Sequence, residues 1–129
     1  MRKIKNFLKI GFHSSNIILI SLYLFPGSIF GCFLYNDCYK QPQITRDLIV
    51  STNHVYAFIL LTSLGVLSFH HDKKINLLCI YLFLLSIILE LSHIIIPNRG
   101  FETSDLFGNI VGVILVILIY KSVIRHVKT

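Results

Sequence analysis

Four apolar runs dominate the chain and decide what it can fold into: residues 17–35, 54–69, 75–96 and about 105–120. Each approaches the roughly 20 residues an α-helix needs to cross a hydrocarbon layer about 30 Å thick. Within these runs the Asp, Glu, Lys, Arg and His residues number only four, His54, Glu90, His93 and Asp105. With 14% charged residues and a mean hydropathy of +0.73, the chain cannot supply the polar surface of a soluble domain, where charged residues approach a quarter of the sequence. The expected fold is all-α, a four-helix transmembrane bundle forming one domain over residues 1–129. No segment has the length or turn spacing of a soluble catalytic domain. Any chemistry must therefore come from side chains on the spanning helices and their short connections.

A basic start followed by an apolar run also describes a signal peptide, and Ile29-Phe30-Gly31-Cys32 has a faint lipoprotein cleavage pattern that Phe30 fits badly. The reading is a retained first helix over residues 17–35. Pro26 would kink or interrupt it, and Gly27 and Gly31 give it a small-residue face for another helix. Residues 36–53 form the longest polar connection, irregular but with a short interfacial helix around residues 45–50 that Thr45 could cap. Cys32, Cys38 and Cys79 show no CxxC or zinc spacing, so free thiols are expected, with a Cys32–Cys38 disulfide as the alternative.

Net charge is +6, yet the basic residues sit at the chain ends and between apolar runs instead of on one face interleaved with aromatics, so nucleic acid is not an expected partner. Their distribution sets orientation. With four spans, one side receives Arg2, Lys3, Lys5, Lys9, Lys73, Lys74, Lys121, Arg125 and Lys128, and the other only Lys40, Arg46 and Arg99. The positive-inside rule places the first group, and both termini, in the cytoplasm. Residues 36–53 and 97–104 then lie outside.

That topology brings His54, Glu90, His93, Asp105 and Asn109 to one depth near the outer boundary. Glu90 and His93 are three residues apart, while Asp105, Asn109 and Gly112 repeat every three or four, so each set lines one helix face. Gly108 and Gly112, with Ser104 a turn earlier, allow close helix approach or a second copy to pack. Ionisable groups at such depth must recover their lost hydration from a partner or ligand. Arg99 either pairs with Glu102 or Asp105, or clamps an anion beside a helix N-terminus. Asp105 could cap the fourth helix with Ser104 as N-cap, and Asn109 suits an interhelical hydrogen bond. Glu-x-x-His with Asp105 and His54 nearby offers metal donors, but a site needs at least three well-spaced ligands. Only two are set by spacing here, so no metal and no cofactor is expected.

The run Glu90, Pro97, Arg99, Asp105, Asn109 and Gly112, spaced E-x6-P-x-R followed by D-x3-N-x2-G, resembles the signature of the VanZ-like family of small bacterial membrane proteins. His54-Val55-Tyr56-Ala57-Phe58 is similar to the family's second-span opening, and Pro26-Gly27-Ser28 to a motif of its first span. His93 stands where the family usually has glutamine, and Ser51 where it often has lysine. The resemblance implies a four-helix protein of the bacterial cytoplasmic membrane and a link to teicoplanin resistance, without a settled reaction. The leading expectation is non-catalytic: an outward pocket of His54, Glu90, His93, Arg99, Asp105 and Asn109 holding an anionic lipid or cell-wall precursor headgroup. One alternative is a membrane hydrolase or transferase, with Glu90 or His93 as general base and Asp105 as partner, although no nucleophile motif is present. The other is a structural or assembly subunit.

Overall fold

The computed structural model describes residues 2–127, which form five helices and no strand: α1 (Arg2–Leu24), α2 (Ile29–Tyr35), α3 (Thr52–Phe69), α4 (Ile75–Ser92) and α5 (Thr103–Val127). Lys128 of the charge tally lies outside the described residues. Four of the helices, all but α2, are long and apolar enough to cross a membrane. An 18-residue helix such as α3 is about 27 Å long.

The first span is displaced from its expected place. Residues 17–35 do not form one helix, because Pro26 cannot continue the ladder and Gly27 takes a φ of +109°. The spanning helix is instead the earlier stretch α1. Its lysines sit in the first turns, where long side chains can carry charge to an interface while their stems cover apolar surface. Lys5 and Lys9, one turn apart, both grip Asp72 in the α3–α4 turn, at 3.3 and 3.0 Å. These bonds, Lys9 first, hold the Asp72 carboxyl below its ordinary pKa. The pair is open to solvent and adds little stability.

After the break, Ser28 caps α2 by accepting from the Gly31 amide at 3.0 Å, and Asn36 ends it in the left-handed region. The chain then doubles back. Ser28 N–H donates to Cys38 O at 2.7 Å and a Cys32–Cys38 disulfide closes the hairpin, in place of the expected free thiols. The tight return is possible because Gly31 carries no side chain: a Cβ there would collide with the Lys40 and Asp37 carbonyls. Gly27 is filled in the same way by Cys38, so neither glycine is left for a second copy.

Residues 45–50 form no helix. Side chains of the first turn of α3 instead tie the loop backbone down: Asn53 Oδ1 accepts from Ile44 N–H, Asn53 Nδ2 donates to Pro42 O, and Thr52 Oγ1 donates to Thr45 O. Asp47, not Thr45, serves the exposed amides of α3, accepting from Thr52 N–H at 2.8 Å. That bond, with those from the Thr52 hydroxyl and the Gln43 amide, holds the Asp47 carboxyl below its ordinary pKa. Asp47→Ala is expected to cost about 1 kcal/mol in chemical unfolding at neutral pH. Because the folded pKa is the lower one, this contribution is present above the unfolded-chain value and fades as pH falls through the folded value. The wild-type and variant unfolding curves should converge in acid.

The four long helices share a core of Phe12, Phe58, Leu61, Leu82, Leu85, Leu89 and Val113. Both α1 and α5 pack on α3 and on α4. The outer faces of the four long helices carry exposed Ile17, Ile18, Leu60, Ile88, Leu118 and Ile119, a surface suited to lipid and costly in water. The closest seam is α3–α5, where Gly108 lies against Ser51 O and Gly112 against Val55 O. These glycines too are used within the chain. The helix expected over residues 75–96 stops at Ser92. His93, Ile94 and Ile95 tighten into three-residue turns, and Pro97 bars continuation.

Candidate functional site

The last turn of α1, the first turn of α3, the last turn of α4 and the first two turns of α5 meet at the α2 end of the bundle. Each brings one or two polar groups, and Asn109 joins them. Its side chain is fully buried. Asn109 Nδ2 donates to Ser86 O at 3.1 Å, while Oδ1 accepts from Tyr23 OH at 2.6 Å and faces His54 Nδ1 at 3.0 Å. All four spanning helices thus converge on one amide, which also accounts for how a polar group is tolerated at this depth.

Glu90 lies beside this hub with no exposure. Its Oε1 accepts from the Glu102 amide and faces His93 Nδ1, both at 3.3 Å. Its Oε2 has no hydrogen-bond partner and lies 3.8 Å from His54 Nδ1. His93 is locked in place: its ring stacks on Tyr23, and Nε2 donates to the Tyr23 carbonyl at 3.1 Å. On the far side of His54, Nε2 lies 3.4 Å from Asp105 Oδ2, which is partly exposed in the first turn of α5.

Arg99 sits at the rim. It does not pair with Glu102 or Asp105. Instead Nη2 donates to Leu22 O at 2.8 Å and Nε to Phe25 O at 3.3 Å, covering carbonyls that the end of α1 leaves without helical partners. Partial burial lowers its pKa from the ordinary value, while nearby Tyr23, Glu90 and Asp105 act to raise it. A guanidinium stays charged throughout.

Two cavities open beside these groups. One, of about 490 Å³, is largely apolar and runs between α1, α2 and α3 past Leu19, Leu22, Ile29, Phe30, Ala57 and Leu60. The other, of about 350 Å³, is lined by polar groups including Asp47, Ser51, His93, Asn98, Glu102 and Asp105. Gln41, Gln43, Asn53 and Arg99 line both, so the two adjoin. An apolar slot beside a polar chamber has the shape of an amphiphile.

Of the six residues singled out from sequence, His54, Glu90, His93, Asp105 and Asn109 come together and Arg99 lies on the wall between the cavities. Tyr23 and Ser86 were not legible. Tyr23 belongs to the last turn of the first span only when that span ends at Leu24, so the misplaced boundary hid it. Ser86 contributes a backbone carbonyl, which no side-chain pattern reports.

The family model VanZ/LLP1 matches residues 3–125. No curated protein and no solved structure matches the chain.

Proposed function

The chain belongs to the VanZ/LLP1 family, and from that premise we propose that it holds an envelope lipid by headgroup and chain together. The adjoining cavities carry this reading. The apolar one accepts an acyl or polyprenyl chain, and Arg99 meets the phosphate at the junction, where a half-buried cation binds an anion more strongly than in open water. Gln41, Gln43 and Asn53 add hydrogen bonds to hydroxyl or amide groups of the head. The orientation is the one the basic residues favour, termini in the cytoplasm and the pocket outward, in a bacterial cytoplasmic membrane. The disulfide at the α2 end supports it, since such bonds persist on the oxidising side. A contribution to glycopeptide resistance, through the hold on a cell-wall precursor lipid, is part of the same proposal.

The test uses polyprenyl monophosphate as probe with the purified full chain in detergent. It is expected to raise the thermal midpoint, whereas the uncharged polyprenol should bind at least about tenfold more weakly, as loss of a charge-assisted contact implies. Arg99→Gln keeps a donor toward the α1 carbonyls but removes the charge, and should abolish the difference between the two probes. Equal binding of both probes by the unaltered protein would sink the headgroup reading.

A catalytic reading has one observation in its favour, the His54–Asp105 pair at 3.4 Å beside the cavities, which could move a proton to or from a bound headgroup. Release of phosphate from labelled polyprenyl pyrophosphate, lost in Asp105→Asn, would move the protein to that class.

A further inference from the structure

The acidic groups around the polar cavity outnumber its fixed cations. Asp47, Glu102 and Asp105 line it and Glu90 lies behind it, against Arg99 alone. Hydrogen bonding then assigns the atoms. Asn109 spends its NH2 on Ser86 O, so the atom facing His54 Nδ1 is the amide oxygen, which can only accept. His54 Nδ1 therefore carries a hydrogen. Its Nε2 is the atom left for Asp105 Oδ2, 3.4 Å away. In a neutral imidazole this sets a lone pair against a carboxylate oxygen, two acceptors face to face. Behind them Glu90 Oε2, on a residue with no exposure, has no hydrogen-bond partner. An unmatched buried carboxylate oxygen is expensive.

We propose that His54, Glu90 and Asp105 form a binding site for a divalent transition-metal cation of the zinc or manganese class. Each residue offers one donor atom, and these atoms lie within 4.8 Å of one another. Metal–ligand bonds of roughly 2.0–2.2 Å place neighbouring donors about 3.0–3.5 Å apart, so the His54–Asp105 separation already fits. Glu90 Oε2 lies 3.8 Å from Nδ1, so its carboxylate must turn toward the Nε2 side to join as the third ligand. One imidazole nitrogen and two carboxylate oxygens suit these ions. Asn109 and Tyr23 act as supports, because the bonds on Nδ1 hold the ring with Nε2 toward the cation. Asp105, the least buried of the three, lines the polar cavity. The site needs only these three side chains and does not depend on the lipid reading.

The experiment takes the full chain in detergent, strips it with a chelator and titrates it with ZnCl2 and MnCl2 in the absence of added lipid. At a hundredfold excess over Kd the thermal midpoint is expected to rise by roughly 5–10 °C with at least one of the ions. His54→Asn and Asp105→Asn should each weaken binding at least about tenfold. The double variant His70→Asn, His71→Asn removes the exposed imidazole pair of the α3–α4 turn, whose rings lie 3.8 Å apart, and should leave the shift unchanged. If the site variants do not fold, Co2+ added to the unaltered protein reads the same site, through visible d–d absorption without a thiolate band. No shift with either ion, a shift unaltered by His54→Asn and Asp105→Asn, a shift lost in the His70/His71 variant, or a silent Co2+ spectrum would each overturn the proposal.

Discussion

Asn109→Leu is expected to lower the unfolding free energy by roughly 3 kcal/mol while leaving the helices formed. Leucine keeps the branched four-atom skeleton of asparagine but is bulkier, so at this fully buried site some overpacking adds to the loss of hydrogen bonds. It removes the acceptor that the Tyr23 hydroxyl and the His54 Nδ1–H share at 2.6 and 3.0 Å and leaves these two groups only each other, 2.8 Å apart. Each buried group left without a partner costs about 1–3 kcal/mol. Interhelical hydrogen bonds in membranes average less, about 0.6 kcal/mol, because the dissociated helices find other partners. Here both groups stay inside a bundle that the apolar core still holds and find no new partner beyond each other, so the higher range applies. A double-mutant cycle with Tyr23→Phe checks the assignment. In the Asn109→Leu background, Tyr23→Phe should cost less than in the unaltered protein, since the hydroxyl has already lost Asn109 Oδ1 and keeps only His54. Equal effects in both backgrounds would mean that the pair is not coupled.

The second large effect is expected at Gly112. A Cβ there would lie 2.7 Å from the Val55 carbonyl oxygen and 2.9 Å from Phe58 Cβ. The carbonyl belongs to the α3 backbone and cannot swing aside as the end of a flexible side chain can. Gly112→Val must therefore push α5 off α3, at about 3 kcal/mol or more. The displacement acts on the polar groups as well: Asn109 and Asp105 are one and two turns away on the same helix and would be drawn back from His54. Loss of stability and loss of lipid or cation binding should appear together. Gly11 is the control. Nothing lies within 4 Å of a Cβ built there, so Gly11→Ala should be neutral or stabilise by up to about 1 kcal/mol.

The spans and the common depth of the polar residues were readable from the sequence because both follow from length and alternation of direction. Apolar runs announce helices, and short breaks fix which ends face the same way. The first run misled because apolarity does not report where a helix stops. Residues 17–35 carry no charge, yet Pro26 and Gly27 divide them between two elements, while the lysines of α1 look unsuited to a span until Asp72 is seen to receive Lys5 and Lys9. Arg99 misled differently. Its partners are backbone carbonyls at the end of α1, and these become acceptors only once the helix is known to end there. The disulfide was likewise undecided by spacing, since it depends on the chain doubling back over Gly31. The metal reading turns on His54, whose distance from Asp105 follows from how closely α3 and α5 meet at Gly108 and Gly112.

The hub on Asn109 also orders events during synthesis. Tyr23, His54 and Ser86 precede Asn109 in the chain, so each of the first three spanning segments enters the bilayer with its share of the cluster still open. Until the last segment arrives, Tyr23 and His54 have only each other, and the final helix brings the amide that joins them to α4. The fourth span is therefore the clasp of assembly, and a chain stalled before it would offer membrane proteases a loose, polar-cored intermediate in place of the finished bundle.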